Sequence, residues 1–155
     1  MSGKVLIIDA LSAGRGQRTS SRDSIGCGPR SVAGVFEKHQ IPCRIARAED
    51  VLSGQVRLRS FDHLAISAMT MDLLATKKIV STWGASRKQG RVVIGGPIAS
   101  NPESIFREIS PDVIVRGEGE ATLSELIDIG FFESTMELEH VLGIAYRKKK
   151  AIKVN

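Results

Sequence analysis

The chain has 155 residues, 42% of them hydrophobic and 25% charged, with a net charge of +5. That is enough chain for one domain with a real core and too little for two, and the balance is that of an ordinary globular protein. No apolar run approaches the ~20 residues of a membrane span. The N-terminal run MSGKVLIIDAL stops at Asp9 without a signal peptide's core or cleavage site, so a cytoplasmic location is the default expectation. The positive charge permits an anionic partner. Aromatic residues are only 5%, however, which argues against a stacking platform for single-stranded nucleic acid.

Lys4 to Asp9 (KVLIID) reads as a buried strand. Ala10 to Gly28 is rich in Gly, Ser and Arg and has no periodicity, which predicts a long loop of the kind that is often functional. Pro29 suits a first helical turn, and Val32, Val35 and Phe36 then share one helix face. Ile41 to Ala46 is a second strand, Glu49 to Ser60 a polar connection with room for a helical turn, and Asp62 to Ser67 a third strand. Thr70 is a candidate N-cap with Asp72 in the first turn, and Leu73, Val80 and Trp83 give the next helix its apolar face.

Val92-Val93-Ile94 runs into Gly95-Gly96-Pro97, then Asn101-Pro102-Glu103 caps a helix burying Ile105, Phe106 and Ile109. Asp112 to Val115 runs into Arg116-Gly117-Glu118-Gly119-Glu120, and the helix that follows carries Leu123, Leu126 and Ile127 up to Gly130. Five alternations of strand and helix predict a doubly wound α/β fold. The expected sheet has five parallel strands in the flavodoxin-like, Rossmann-like order 2-1-3-4-5, with a C-terminal β-hairpin after the core. Leu142 to Tyr146, a basic turn at Arg147 to Lys150, and Ala151 to Val154 supply that hairpin. The expected division is residues 1–140 as the α/β domain and 141–155 as a hairpin linker.

The glycine turns after the fourth and fifth strands lie where open α/β sheets bind ligands, and where backbone must approach a bound molecule closely. Each has a plainer reading. Gly95-Gly96-Pro97 can be only a tight turn, and Glu118 and Glu120 can simply favour a helix start. Thr70 can be a cap and Ser67 a strand end. Arg15, Arg18 and Arg22 can hold a phosphate or carboxylate, or line a solvated loop. His39, His63 and His140 are scattered without metal-ligand spacing, and His63 lies within a strand, where a structural role is expected. Cys27 and Cys43 form no cluster motif; Cys43 is expected to be a small buried hydrophobe. No nucleophile elbow, P-loop or GxGxxG fingerprint is present, and no residue is assigned a catalytic role or a metal.

Gly95 to Pro97, the run from Pro111 to Leu126 and the tail GIAYRKKKAIKVN, taken in order, resemble the N-terminal cobalamin-binding domain of cobalamin-dependent radical S-adenosylmethionine enzymes. The resemblance implies a cobalamin held against the carboxyl edge of the sheet. Candidate binding positions are Leu11, Gly14, Ser67, Met69, Thr70, Gly95, Gly96, Pro97, Gly117, Glu118 and Gly119. In many such domains Asp-x-His-x-x-Gly follows the first strand and the histidine ligates cobalt. Here the stretch reads Asp9-Ala10-Leu11-Ser12-Ala13-Gly14, with leucine in the histidine's place. The family's chemistry also needs a Cys-x3-Cys-x2-Cys motif for a 4Fe-4S cluster and S-adenosylmethionine, and this sequence has none. The implied partner is therefore a radical S-adenosylmethionine domain, C-terminal or separate. The alternatives are a degenerate domain that presents substrate or docks a partner without any cofactor, and a nucleotide- or flavin-binding protein.

Overall fold

A computed structural model describes residues 3–16, 24–86, 89–134 and 137–155. Arg18 and Arg22 lie outside the described residues. The sheet is built from β1 (Val5–Asp9), β2 (Cys43–Arg47), β3 (His63–Ser67), β4 (Val92–Gly95), β5 (Val113–Val115), β6 (Ile144–Lys148) and β7 (Ala151–Val154). Its order is β2-β1-β3-β4-β5-β6-β7. The first five strands are parallel, in the flavodoxin-like arrangement expected.

The hairpin departs from expectation. Rather than following the core, β6 pairs antiparallel with β5 through Val113↔Tyr146, Ile114↔Ala145 and Val115↔Ile144, giving one seven-stranded sheet instead of five strands and an appendage. The reason is that β5 would otherwise be an edge with open hydrogen-bonding groups. Ile144, Ala145 and Tyr146 cover that edge and are themselves buried. Arg147 ties the hairpin to the helix beneath by donating to the Phe106 carbonyl at 2.9 Å and lying over the Phe106 ring. The basic turn is held by a Lys148–Glu139 ion pair.

Strand residues alternate strictly between two layers. Leu6, Ile8, Leu64, Ile66, Val92 and Ile94 face α2 (Ala48–Leu52), α3 (Leu73–Ser86) and α4 (Pro102–Glu108), where Val51, Ile79, Trp83, Ile105 and Phe106 are buried. Val5, Ile7, Ala65, Val93, Val113 and Val115 face α1 (Cys27–Lys38) and α5 (Gly119–Asp128), meeting Phe36, Leu123, Leu126, Phe131 and Phe132.

The connection from Glu49 to Ser60, expected to be polar with room for a helical turn, contains most of α2 and a 3-10 turn at Leu58–Ser60. Its polar character is only partial, since Val51, Val56 and Leu58 anchor it in the core. Helix α1 begins at Cys27, two residues before Pro29, whose missing N–H costs nothing in a first turn. Asn101 caps α4 as expected, accepting the Ser104 N–H at 3.2 Å. Gly130 takes the left-handed conformation (φ 76°) just past α5. His63 is buried, and its Nδ1 accepts the Arg91 N–H at 3.0 Å. Among the described residues, no helix is long and apolar enough to cross a membrane.

Candidate ligand cleft at the carboxyl edge

Registry brings Asp9, Ser67 and Gly95 side by side at the carboxyl ends of β1, β3 and β4. Beside this row a cavity of about 170 Å³ opens between α1 and α5. Gly28, Ser31 and Val32 of α1 form one wall, and Gly119, Glu120 and Leu123 of α5 the other. Ile7, Ala65, Val93 and Val115 form the floor, and Ser67, Gly95, Gly96, Gly117 and Glu118 surround the mouth.

Glycines keep the cleft open. A Cβ on Gly28 would stand 3.1 Å from Ser67 Oγ, and one on Gly119 3.3 Å from Val115 Cγ1. Both glycines sit in first helical turns, so each helix approaches the sheet closely there. Gly96 is required for a different reason. Its φ is 90°, and a Cβ would lie 2.8 Å from the Ala68 carbonyl oxygen. The turn it makes lets Ile98 N–H reach that same carbonyl at 3.1 Å. Gly117 is also left-handed (φ 71°), but a Cβ there would meet nothing within 4 Å. Its bareness leaves space above the sheet edge. A shallower groove of about 360 Å³ runs alongside, between Gly96, Pro97, Ala99 and Ser100 on one loop and Arg116 and Gly117 on the next.

The other expected positions fall outside both cavities and belong to a second assembly. The fully buried Asp72 carboxylate accepts main-chain N–H bonds from Ser12 (3.2 Å), Gly14 (2.8 Å) and Met69 (2.8 Å). It thereby joins the loop after β1, which bears Leu11, to the loop after β3, which bears Met69. Asp72 also displaces Thr70 from its expected cap. Thr70 opens a 3-10 turn, Thr70–Asp72, flanked by Met69, and is exposed. Asp9, likewise fully buried, accepts from Leu11 N–H (3.0 Å) through one oxygen and Gly26 N–H (2.9 Å) through the other. In a ligating Asp-x-His arrangement a carboxylate typically orients the imidazole; here both oxygens hold backbone. Arg15 is exposed, and its carbonyl accepts from Lys78 at 3.4 Å.

The structure thus gathers Ser67, Gly95, Gly96, Gly117, Glu118 and Gly119 around one cleft, places Pro97 in the adjoining groove, and sets Leu11, Gly14, Met69 and Thr70 on neighbouring loops. The sequence reading missed Gly28, Ser31, Val32, Ala65, Glu120 and Leu123, and the joining role of Asp72. Gly28 and Gly119 had a shared signal: each is a glycine in the first turn of the helix after β1 or β5. Among the described residues, no group of three His, Cys, Asp or Glu side chains is placed to hold a metal ion.

An open, mostly parallel sheet with a glycine-lined cleft at its carboxyl edge defines a flavodoxin-like domain, the class of fold that binds ligands at that edge. The chain belongs to the B12-binding domain family, whose model matches residues 19–127. It is 37% identical over 92% of its length to an uncharacterized protein of Methanocaldococcus jannaschii, and 38% identical over 83% to one of Methanopyrus kandleri. A protein of Pyrococcus horikoshii named as an uncharacterized methyltransferase is 29% identical over 77% of the chain. The chain spans only about a quarter of these relatives: 26%, 24% and 27% of their lengths. Its fold matches the radical S-adenosylmethionine methyltransferase TsrM of Kitasatospora setae over 97% of this chain and 30% of that one, with a TM-score of 0.72 and 14% identity. A second TsrM structure, with cobalamin and a [4Fe-4S] cluster bound, matches over 98% of this chain and 28% of that one, with a TM-score of 0.67 and 12% identity.

Proposed function

We propose that this domain holds cobalamin for a radical S-adenosylmethionine catalytic domain, without a protein ligand to the cobalt from below. The observation that carries the reading is the cleft between α1 and α5. It is narrow, apolar-floored and opened by glycines at Gly28 and Gly119, as a planar base on a flexible tail requires. Membership of the B12-binding family and the likeness to TsrM support the same reading.

In this reading Ser67, Gly95 and Gly96 would flank the nucleotide tail in the cleft. Gly117 and Gly119 would leave room for the tail's backbone, and Glu118 and Glu120 would accept from its sugar hydroxyls. The loops of Leu11 and Met69, joined by Asp72, would support the corrin. Leu11 presents a hydrocarbon where a ligating histidine would stand, so this loop would offer the cobalt no nitrogen. Bound cobalamin supplies a cobalt centre able to carry a methyl group or an electron. The domain's own residues bind and orient, and catalysis by this chain alone is not expected. Cys27 and Cys43 cannot make a three-cysteine cluster site.

The test is to mix the purified chain with hydroxocobalamin, desalt it and record the visible spectrum. A retained corrinoid band without a histidine-ligated signature is expected. No retention at tens of micromolar cobalamin would overturn the reading in favour of a domain that has lost its cofactor.

A further inference from the structure

We propose that the groove beside Arg116 holds the carboxylate of a small organic acid, the class of substrate on which the bound cofactor would act. This rests on the cobalamin-holding reading above and deepens it by naming what the cofactor would meet.

Two hollows share Gly96 and Gly117 at the carboxyl rim, and their charges are opposite. The cleft between α1 and α5 carries Glu118 and Glu120. The groove of about 360 Å³ carries Arg116 and Ser100 and is lined by no carboxylate. Strand parity separates the two. Val113 and Val115 pack toward α1 and α5 and Ile114 toward α4, so Arg116, next in line, sets out on the α4 side. Its backbone is fixed, because the Arg116 N–H donates to the Gly143 carbonyl at 2.8 Å. Its side chain is exposed and, among the described residues, has no hydrogen-bond or ion-pair partner. The arginines that brace the fold are tied instead: Arg47 to Asp50, Arg91 to Asp112, and Arg147 to the Phe106 carbonyl.

A planar guanidinium presents paired N–H donors that match the two oxygens of a carboxylate. Pro97 and Ala99 on the facing wall offer hydrocarbon to the rest of a small molecule. Gly96 and Gly117 put no side chain between the groove and the cleft. An acid seated on Arg116 therefore has its far end at the rim that the cofactor would occupy. A single guanidinium beside a hydroxyl suits one negative charge better than the two of a phosphate.

The experiment follows the NMR signals of the whole isotope-labelled chain during titration with benzoate, with benzamide as its neutral counterpart, and with inorganic phosphate. Benzoate is expected to shift Gly96, Ser100, Arg116 and Gly117, and to bind at least about fivefold tighter than either other probe, between the worth of an exposed ion pair and that of a charged hydrogen bond. Arg116→Gln changes an exposed side chain and should weaken benzoate about fivefold, whereas Arg107→Gln, which removes an exposed arginine from α4, should leave it unchanged. Benzamide or phosphate binding as tightly as benzoate overturns the proposal. So do benzoate shifts that fall elsewhere or persist undiminished in Arg116→Gln. If that variant does not fold, the three probes on the unmodified chain decide the matter. Benzoate binding is expected to survive loading with hydroxocobalamin. Its loss on loading would give the groove to the cofactor and overturn the carboxylate site while leaving cobalamin binding intact. Failure to retain hydroxocobalamin overturns the functional reading and the acid's role as substrate, and the titrations on the unloaded chain still decide the site.

Discussion

The Asp72 carboxylate accepts the Gly14 N–H at 2.8 Å across 58 residues of sequence, and so joins the two loops that carry Leu11 and Met69. A carboxylate with main-chain donors converging on it fixes backbone position more firmly than side-chain packing, because every donor is part of the chain itself. The loop after β1 is further attached to α3, which follows that turn, by the Ala75 N–H, which donates to the Gly14 carbonyl at 3.2 Å.

Asp72→Asn keeps the shape but turns one acceptor oxygen into a donor amide, so at least one of the Ser12, Gly14 and Met69 amides faces another donor. A loss of about 2–3 kcal/mol is expected, the range for a charged hydrogen bond removed from a buried site. Urea denaturation measures it. A loss under about 0.5 kcal/mol, the level of an ordinary surface change, would show that the carboxylate does not hold the two loops together.

Gly96 and Gly117 separate strain from space. Gly96→Ala meets both a left-handed backbone and the Ala68 carbonyl, and is expected to cost about 2–3 kcal/mol. Gly117→Ala meets only the left-handed penalty of about 1 kcal/mol, because nothing lies within 4 Å of its Cβ. If cobalamin uses that space, Gly117→Ala nevertheless weakens retention by more than its stability loss explains. Thermal melts with and without hydroxocobalamin distinguish the two effects.

Gly28→Leu places a side chain in the cleft from its α1 wall. Leucine favours helix over glycine by about 0.5–1 kcal/mol, which offsets part of the crowding against Ser67 Oγ. Far-UV circular dichroism should therefore show a folded chain, while cobalamin affinity falls at least about tenfold, equivalent to about 1.4 kcal/mol. Unchanged affinity would remove the tail from this cleft.

The parts of the fold set by local pattern were legible in the sequence. Val5 to Asp9, His63 to Ser67 and Val92 to Gly95 are short apolar runs, each closed by a polar residue or glycine, as strands buried on both faces must be. Asn101-Pro102 announced its helix through side-chain chemistry that acts within four residues. What depended on distant partners was not legible. Ile144 to Tyr146 read as a strand, but its place beside β5 depends on which edge needs cover. Asp72 read as a helix-start acid, since nothing nearby in sequence reveals acceptors for Ser12 and Gly14. The cleft was half legible. Its glycine turns follow strands directly, whereas Gly28 and Ser31 come after a long aperiodic loop and give no sign of which strands they will face.

The two thiols should report their environments through alkylation. Cys27 is exposed at the start of α1, next to Gly28. Burial pushes the Cys43 thiol above its ordinary value, and the nearby Glu37 carboxylate pushes in the same direction. Because the thiolate is the reacting form, Cys43 has less of it at any given pH and its labelling rises only at higher pH. Iodoacetamide at pH 8 followed by peptide mass spectrometry should show Cys27 modified first. Equal rates at that pH would contradict the placement of Cys43.

The antiparallel pair at the sheet's far edge has a consequence of parity. One added strand would carry the chain away from the glycine loops and leave it at the opposite rim. Two strands reverse it twice, so Val154 ends beside Ala145, on the same rim as Val115 and Gly117. There the Asn155 side chain donates to the carbonyls of Leu138 and Val141 at 2.7 and 2.9 Å, which sets the heading of the backbone at that point. Any polypeptide joined beyond Asn155 sets out from the rim where the cleft opens, so that a following domain needs no long tether to cover the cleft.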